Sequence, residues 1–95
     1  MQFISQSVQV KVAVVVMNYK DQNAFCGPFV EELKELLSGL EKDERIKAVV
    51  ITGGNEKYFC TGLDLNWMSQ QKHEDLVQFL IGVTQILKQT ALFPK

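Results

Sequence analysis

Residues 8–17 read VQVKVAVVVM and residues 46–52 read IKAVVIT, and a helix-forming segment lies between them. Short runs rich in β-branched residues are typical of strands. The intervening segment carries one apolar stripe at helical spacing, formed by Phe29, Val30, Leu33, Leu36, Leu37 and Leu40. Gly27-Pro28 is predicted to begin this helix, because proline is favoured in the first turn, and the charged residues 42–45 are predicted to end it. Strand, helix and strand in this order predict a right-handed crossover unit and hence an α/β fold.

The N-terminal residues predict a further strand beside the first of these runs. We interpret residues 3–6 and 8–17 as two strands with a tight connection around Ser7. After Lys11 the alternating positions are apolar on both sides, so we expect both faces of the second strand to be covered. The composition of residues 46–52 likewise predicts a buried strand.

The C-terminal half predicts a loop, a short helical turn and a long helix. Gly53-Gly54-Asn55 suits a surface loop, residues 58–62 an ordered element, and residues 63–68 a helical turn. A helix over residues 74–93 has a main apolar stripe of Leu76, Phe79, Leu80, Val83, Ile86 and Leu87. Val77 and Ile81 widen this stripe, so we expect more than one neighbouring element, and aggregation or exchange of elements between isolated chains.

The composition limits the possible classes of function. The chain has 95 residues and a formal net charge of −1, without the clustered basic residues of a nucleic-acid binder. Cys26 and Cys60 are too few and too far apart for a disulfide scaffold or a metal site, and indicate a reducing compartment. The apolar run at 12–17 is too short to cross a bilayer, and the N-terminus has no targeting signal. We therefore expect a soluble cytoplasmic protein, with no metal, no nucleic acid and no membrane partner.

The segment KYFCTGLDL, residues 57–65, carries the strongest chemical signal. Gly62 stands between an aromatic pair and the predicted helical turn, where glycine permits positive φ and close approach of a ligand. The first N–H groups of a helix have no intrahelical partner and carry the positive end of its dipole. The backbone N–H of Leu63 is therefore a candidate donor to an oxyanion formed from a carbonyl. The alternative is an ordinary glycine turn without a catalytic role.

Other residues have structural and functional interpretations. For Asp64 we favour complementing the N-terminus of the helical turn over a general base. For His73 we favour a solvated residue at the start of a helix over a catalytic role. For Cys60 we favour packing over a role as a nucleophile. For Trp67 and Phe79 we favour packing over a cage for a ligand. For Lys11, Lys20 and Lys57 we favour ordinary surface lysines over contacts to the phosphates of a ligand.

Several motifs, in this order and spacing, resemble the N-terminal part of the crotonase superfamily, the enoyl-CoA hydratases and isomerases. VAVVVMN at 12–18 is similar to that family's strand ending in Asn, and NAF at 23–25 to its Asn-Ala-Leu turn. FCTGLDL at 59–65 is similar to its Phe-Cys/Ser-x-Gly-x-Asp-Leu motif. The apolar stripe, the strand after it and Phe93-Pro94-Lys95 also match the family pattern, so the resemblance covers almost the whole chain.

The resemblance implies an incomplete ββα spiral fold, in which residues 1–95 form the N-terminal fragment of a single crotonase-like domain. It implies an acyl-CoA thioester substrate, with no cofactor other than the coenzyme A of that substrate, and a homotrimer or hexamer. The Leu63 N–H would be the first oxyanion-hole donor. The coenzyme A thioester would lie near two triplets: Asn23, Ala24 and Phe25, and Asp64, Leu65 and Asn66.

The resemblance also shows where this chain departs from the family. Tyr19-Lys20 stands where Arg-Pro is frequent, and Leu63 is bulkier than the small residue common at its position. Residues 63–67 are slightly more like Δ3,Δ2-enoyl-CoA isomerases than hydratases. The family's second oxyanion donor and acid/base carboxylates would follow Lys95, so we expect a fragment of a longer enzyme that is inactive alone. The alternatives are a noncatalytic acyl-CoA-binding or assembly module and a folding fragment without its own function.

Overall fold

A computed structural model describes residues 3–95 and contains one three-stranded sheet and three helices in that range. The elements in chain order are β1 (Ile4–Gln9), β2 (Val12–Met17), α1 (Gly27–Lys42), β3 (Ala48–Gly53), α2 (Leu65–Met68) and α3 (His73–Ala91). The sheet order is β1-β2-β3, with β1 antiparallel and β3 parallel to β2. The mixed α/β class and the strand–helix–strand unit are therefore confirmed.

The connection between β1 and β2 differs from the sequence prediction. The strands are joined by Val10 and Lys11, whose φ angles are 48° and 67°, as in a type I′ hairpin turn. Ser7, predicted to lie in the turn, instead pairs with Val14 in the ladder. The prediction was wrong because positive φ at both turn positions is normally encoded by Asn-Gly or Asp-Gly. Val-Lys carries no such signal.

Helix α1 supplies much of the core, as its apolar stripe predicts. Pro28 lies in the first turn, and the helix ends at Lys42 within the predicted 42–45 segment. Leu36 is half-buried, while the other stripe residues are buried: Phe29, Val30, Leu33, Leu37 and Leu40. They form one core cluster with Ala13, Val15 and Met17 of β2. Alternate side chains of β2 therefore point toward the helical layer.

The other face of the sheet is less covered than predicted. Val12, Val14 and Val16 are only half-buried. In β3, which lies at the sheet edge, Val50 has 48% of its surface exposed. The expectations that both faces of β2 are covered and that the strand at 46–52 is buried are thus wrong for the described residues. An apolar composition shows only that a strand could be buried. In this structure the described elements cover one face of the sheet well and the other face only in part.

Helix α3 packs on α1 through Phe79, Gly82 and Ile86. The helix begins one residue earlier and ends two residues earlier than predicted. Leu80 and Leu87, assigned to its main stripe, have 44% and 60% of their surfaces exposed, because the contact with α1 covers only one narrow face. Beyond the helix, the Lys95 ammonium donates to the Leu40 and Asp43 carbonyl oxygens at 2.7 Å each.

Three further observations on residues 3–95 concern membrane-spanning helices, the two cysteines and groups of possible metal ligands. Neither α1 nor α3 is apolar enough over a sufficient length to span a bilayer. Cys26 and Cys60 are both free thiols. Between residues 3 and 95, no group of three or more His, Cys, Asp or Glu side chains is placed to hold a metal ion.

Candidate functional site

Two loops meet beyond the carboxyl ends of β2 and β3. The loop after β2, residues 18–26, contacts the loop after β3, residues 54–64. Asn55 Nδ2 donates to the Asp21 carbonyl oxygen, and the Thr61 N–H donates to the Gln22 carbonyl oxygen at 3.1 Å. The parallel β2–β3 pairing brings these loops to one edge of the sheet, because the carboxyl ends of parallel strands lie together.

Gly54 allows the two loops to approach. Its N–H donates to the Met17 carbonyl oxygen at 2.8 Å. A Cβ at this position would overlap the Asn18 side-chain oxygen. The sequence predicted only a surface loop at Gly53-Gly54. The structure adds a steric reason for glycine at position 54, because a side chain there would collide with Asn18.

The backbone around Leu63 is held on both sides by Phe25. The Phe25 N–H donates to the Gly62 carbonyl oxygen at 2.7 Å, and the Asp64 N–H donates to the Phe25 carbonyl oxygen at 2.9 Å. These two bonds form an isolated parallel bridge between Phe25 and Leu63. The pattern uses the groups on either side of Leu63 and leaves the Leu63 N–H itself out of the bridge.

Gly62 sets the direction of this segment. Its φ of +105° lies in the region that glycine favours, which confirms the positive φ predicted there. No heavy atom outside its immediate chain neighbours lies within 4 Å of a Cβ built on Gly62. The position therefore requires glycine for its backbone conformation and not for space.

The position of Leu63 relative to the helical turn corrects one argument from the sequence. Helix α2 begins at Leu65, and Asp64 is its N-cap residue. Leu63 lies one residue before the cap, so its N–H is not among the free N–H groups of the helix. The predicted contribution from the helix end is therefore wrong. Residues 58–62, predicted to form an ordered element, belong to no helix or strand. What remains is a backbone N–H fixed by its two neighbours.

The Asp64 carboxylate has a partner on each oxygen. Oδ1 accepts from the Trp67 N–H at 3.0 Å and Oδ2 from the Tyr19 hydroxyl at 3.0 Å. The Trp67 N–H is the main cause that lowers the Asp64 pKa, with smaller contributions from the Tyr19 hydroxyl and the Lys20 charge. The side chain caps α2, so the N-cap interpretation is confirmed. A general-base role is disfavoured because both oxygens are engaged and the lowered pKa makes the carboxylate a weak base.

Tyr19 contacts Asp64 directly, and the sequence did not predict it as a site residue. Burial and the hydrogen bond to Asp64 raise its pKa well above the usual range. The Lys20 ammonium lies 5.2 Å from the centre of the Tyr19 ring. In the sequence Tyr19 is only a departure from a family pattern, and no local signal links it to Asp64, 45 residues away.

A cavity of about 260 Å³ opens beside this contact. It is lined by Tyr19, Lys20, Asp21, Gln22, Ala24, Asp64 and Asn66. Three of the predicted site residues, Ala24, Asp64 and Asn66, are therefore brought to one cavity. The lining does not include the other four, which are Asn23, Phe25, Leu63 and Leu65.

Asn23 has a structural position beneath the cavity wall. Its side chain is fully buried and its φ is 53°, a conformation that Asn tolerates. Oδ1 accepts from the Tyr19 N–H at 2.7 Å, and the Asn23 N–H donates to the Tyr19 carbonyl oxygen at 3.0 Å. Nδ2 is buried without a hydrogen-bond partner among the described residues. Asn23 therefore shapes the loop that carries Tyr19.

The remaining predicted residues lie at different depths. The Phe25 ring packs 5.6 Å from that of Phe29, while its backbone forms the bridge to Leu63. Leu63 has 37% and Leu65 72% of its surface exposed. Both leucine side chains are therefore exposed, and neither lines the cavity.

The other candidates follow their structural interpretations. Lys20 lines the cavity, Lys57 follows β3 at the same end of the sheet, and Lys11 lies in the hairpin turn at the opposite end of β2. His73 is exposed at the start of α3, and half-buried Cys60 packs against the core. The Trp67 and Phe79 rings pack against each other with centroids 4.9 Å apart, as expected for packing residues.

Sequence comparison relates the chain to known proteins. The protein-family model for enoyl-CoA hydratase/isomerase matches residues 7–90 of this chain. The chain is 30% identical over 86 residues to the short-chain-enoyl-CoA hydratase of Clostridium acetobutylicum, covering 90% of this chain and 33% of that protein. It is 36% identical over 56 residues to a mitochondrial enoyl-CoA hydratase of Pongo abelii, covering 59% of this chain and 19% of that protein.

Solved structures confirm the fold. The enoyl-CoA hydratase of Bacillus anthracis superposes on 99% of this chain and 37% of its own length, with a TM-score of 0.90 and 23% identity. The human mitochondrial delta3-delta2-enoyl-CoA isomerase covers 93% of this chain and 35% of its own, with a TM-score of 0.85 and 23% identity. The chain thus has the fold of the N-terminal part of crotonase-type proteins.

The match to the family model runs from the second half of β1, at Ser7, through β2 and β3 to the last turn of α3. The chain spans about a third of the length of the Clostridium acetobutylicum hydratase. The family model nevertheless covers most of the residues described above, including both loops of the site. The chain belongs to the enoyl-CoA hydratase/isomerase family.

Proposed function

We propose that this chain is the N-terminal part of an enzyme that processes acyl-CoA thioesters, as a hydratase or an isomerase. In this proposal the Leu63 N–H is the first oxyanion-hole donor and the adjacent cavity accommodates part of the coenzyme A moiety. The observation that carries the proposal is the bridge to Phe25. It fixes the groups on both sides of Leu63, while the Leu63 N–H donates to no group among residues 3–95.

A fixed, unused backbone donor suits thioester chemistry. The thioester oxygen gains negative charge when the α-carbon loses a proton or when the conjugated double bond is attacked. A donor that is already in place stabilises this charge without reorganising during the reaction, and one such donor contributes about 2.7–4 kcal/mol in other enzymes. The Phe25 bridge and the φ of Gly62 provide this preorganisation here.

The cavity residues support binding rather than proton transfer. Its ionisable side chains are Tyr19, Lys20, Asp21 and Asp64. Asp64 is held ionised with both oxygens engaged, and Tyr19 is held protonated. We propose that the second oxyanion donor and the acid/base groups belong to a part of the enzyme outside these 95 residues. The isolated chain is therefore expected not to turn over crotonyl-CoA or a 3-enoyl-CoA.

Several further properties are proposed on the same basis. The Ala24, Asp64 and Asn66 side chains at the cavity are proposed to contact coenzyme A, which enters as part of the substrate and not as a cofactor. Asn23, Phe25 and Leu65 are proposed to shape the same region. We propose a homotrimer or hexamer for the complete enzyme, and a reducing compartment such as the cytoplasm for its two free thiols.

A chimera tests whether this segment can serve an enzyme. Residues 7–90 would replace the matching segment of the Clostridium acetobutylicum short-chain-enoyl-CoA hydratase, whose remaining two thirds would be unchanged. Hydration of crotonyl-CoA is monitored through the loss of the ultraviolet absorbance of the conjugated enoyl thioester. The unaltered hydratase is the reference. Turnover by the chimera supports the proposal. A folded chimera that binds crotonyl-CoA without turning it over favours the noncatalytic binding module.

A further inference from the structure

The Tyr19 side chain crosses from the loop after β2 to the residue that follows Leu63. Its hydroxyl donates to Asp64 Oδ2 at 3.0 Å, while Asp64 Oδ1 accepts from the Trp67 N–H at 3.0 Å. A hydrogen bond to an ionised carboxylate is stronger than one between neutral groups. The two bonds together fix the orientation of the Asp64 side chain.

Tyr19 is itself held rigidly, which allows it to act as an anchor. The Tyr19 N–H donates to Asn23 Oδ1, and the Tyr19 carbonyl oxygen accepts from the Asn23 N–H. The Tyr19 ring lies 5.2 Å from the Phe3 ring, edge to face, and 5.7 Å from the ring of buried Phe29. The hydroxyl therefore projects from a fixed ring, and a movement of Asp64 would break the bond rather than carry Tyr19 along.

Leu63 lies between the two points at which this loop is tethered. On one side the Phe25 N–H holds the Gly62 carbonyl oxygen. On the other side the Asp64 N–H donates to the Phe25 carbonyl oxygen, and the Asp64 carboxylate accepts from the Tyr19 hydroxyl and the Trp67 N–H. Only the bond between Tyr19 and Asp64 joins two side chains, because the bridge to Phe25 is formed by backbone groups.

We propose that Tyr19 is a positioning residue that acts through Asp64 to hold the Leu63 N–H where the thioester oxygen becomes charged. The inference rests on the proposed role of Leu63. Tyr19 need not touch the reacting atoms. Its contribution is the rigidity of the segment 62–64, and small displacements of a catalytic donor are costly for the rate.

Tyr19→Phe removes the hydroxyl and keeps the ring, so it is the direct test, and Tyr58→Phe is the matched control. In the chimera, Tyr19→Phe is expected to lower kcat by roughly 10- to 100-fold, by analogy with the loss of hydrogen bonds that orient the ligands of metal sites. KM should change by a smaller factor than kcat, because Asp64 is also proposed to contact coenzyme A, and Tyr58→Phe should leave both parameters unchanged. Introducing Tyr19→Phe into an Asp64→Ala chimera should cause no further loss, because the hydroxyl would have no carboxylate to hold.

Hydrogen exchange separates positioning from general damage to the fold. In the 95-residue chain and in the chimera, Tyr19→Phe should speed amide exchange in a peptide over residues 58–68, but not in one over α1. If both peptides exchange faster, or if KM rises by at least as large a factor as kcat falls, Tyr19 is structural and the proposal is overturned. It is also overturned if kcat is unchanged.

A third variant distinguishes failure of this inference from failure of the proposed function. The variant replaces the Leu63 amide by an ester and so deletes the N–H. If the ester lowers kcat while Tyr19→Phe does not, the donor is real and Tyr19 does not position it. If the ester leaves kcat unchanged, the proposed function fails, and the inference about Tyr19 fails with it.

Discussion

Gly62 and Gly39 offer a test at the scale of a single residue. A Cβ at either position meets open space, but Gly62 has a φ of +105° whereas Gly39 lies inside α1. Gly62→Ala should lower the free energy of unfolding by about 1–3 kcal/mol through backbone strain. Gly39→Ala should raise it by about 0.5–1 kcal/mol, because alanine is the better helix former. Urea unfolding of the two variants gives both values.

The opposite signs make this pair informative. A stable Gly62→Ala variant would mean that the segment does not need the left-handed conformation, and the placement of the Leu63 N–H would then be in doubt. The positive φ of Gly62 could be predicted from sequence, because glycine before a short helical turn is a local signal. The Tyr19–Asp64 bond could not, because its partners are 45 residues apart and their meeting depends on the parallel pairing of β2 and β3.

The β1–β2 hairpin is the element whose sequence and structure agree least. Val10 has a φ of 48° and 94% of its surface exposed, and Lys11 has a φ of 67°. Replacing the pair by Asn-Gly, with Val10→Asn and Lys11→Gly, should raise the free energy of unfolding by about 1–2 kcal/mol, the cost of one left-handed residue. The same two residues placed at Gln6 and Ser7 should destabilise the chain, because those positions pair in the ladder.

Urea unfolding midpoints at equal slopes would measure this difference. A turn around Ser7 would reverse the two results, so the experiment also tests the correction to the strand boundaries. Periodicity predicted that two strands exist. Their boundaries depended on turn chemistry that Val-Lys does not display.

Helix α3 leaves an apolar surface uncovered. Val77, Leu80 and Ile81 have 42%, 44% and 45% of their surfaces exposed. We expect the 95-residue chain to self-associate as its concentration rises, since exposed apolar patches promote association. Leu80→Lys should weaken the association without lowering stability, whereas Gln78→Lys should change neither.

Sedimentation velocity over a range of concentrations would follow this association. A compact monomer at all concentrations would contradict it. Equal effects of the two lysine variants would indicate that charge alone, and not the apolar surface of α3, controls association. The sequence predicted that α3 has an apolar face wider than one contact. It did not predict which residues stay exposed, because that depends on how α1 crosses the helix.

At the scale of the whole molecule, the family resemblance predicted the fold more completely than any pattern in the chain did. Periodicity and the proline at the start of α1 predicted α1 and the two parallel strands, but burial was overestimated for β3 and for one face of β2. Burial depends on which other elements pack against a strand, and the chain spans about a third of the length of its Clostridium acetobutylicum relative. The candidate site was predicted as a set of residues near Leu63, while its supporting contacts required the structure.

The central claim is that the Leu63 backbone N–H is an oxyanion donor. Replacing the Leu63 amide by an ester in the chimera, by semisynthesis, deletes the donor and keeps the side chain. The claim predicts that kcat falls by about 10²–10³, as for the loss of one such donor in other enzymes, with the circular dichroism spectrum and coenzyme A affinity preserved. Leu63→Ala, which keeps the N–H, should retain turnover with an altered preference for the acyl chain. An ester variant that turns over crotonyl-CoA as fast as its parent would contradict the claim.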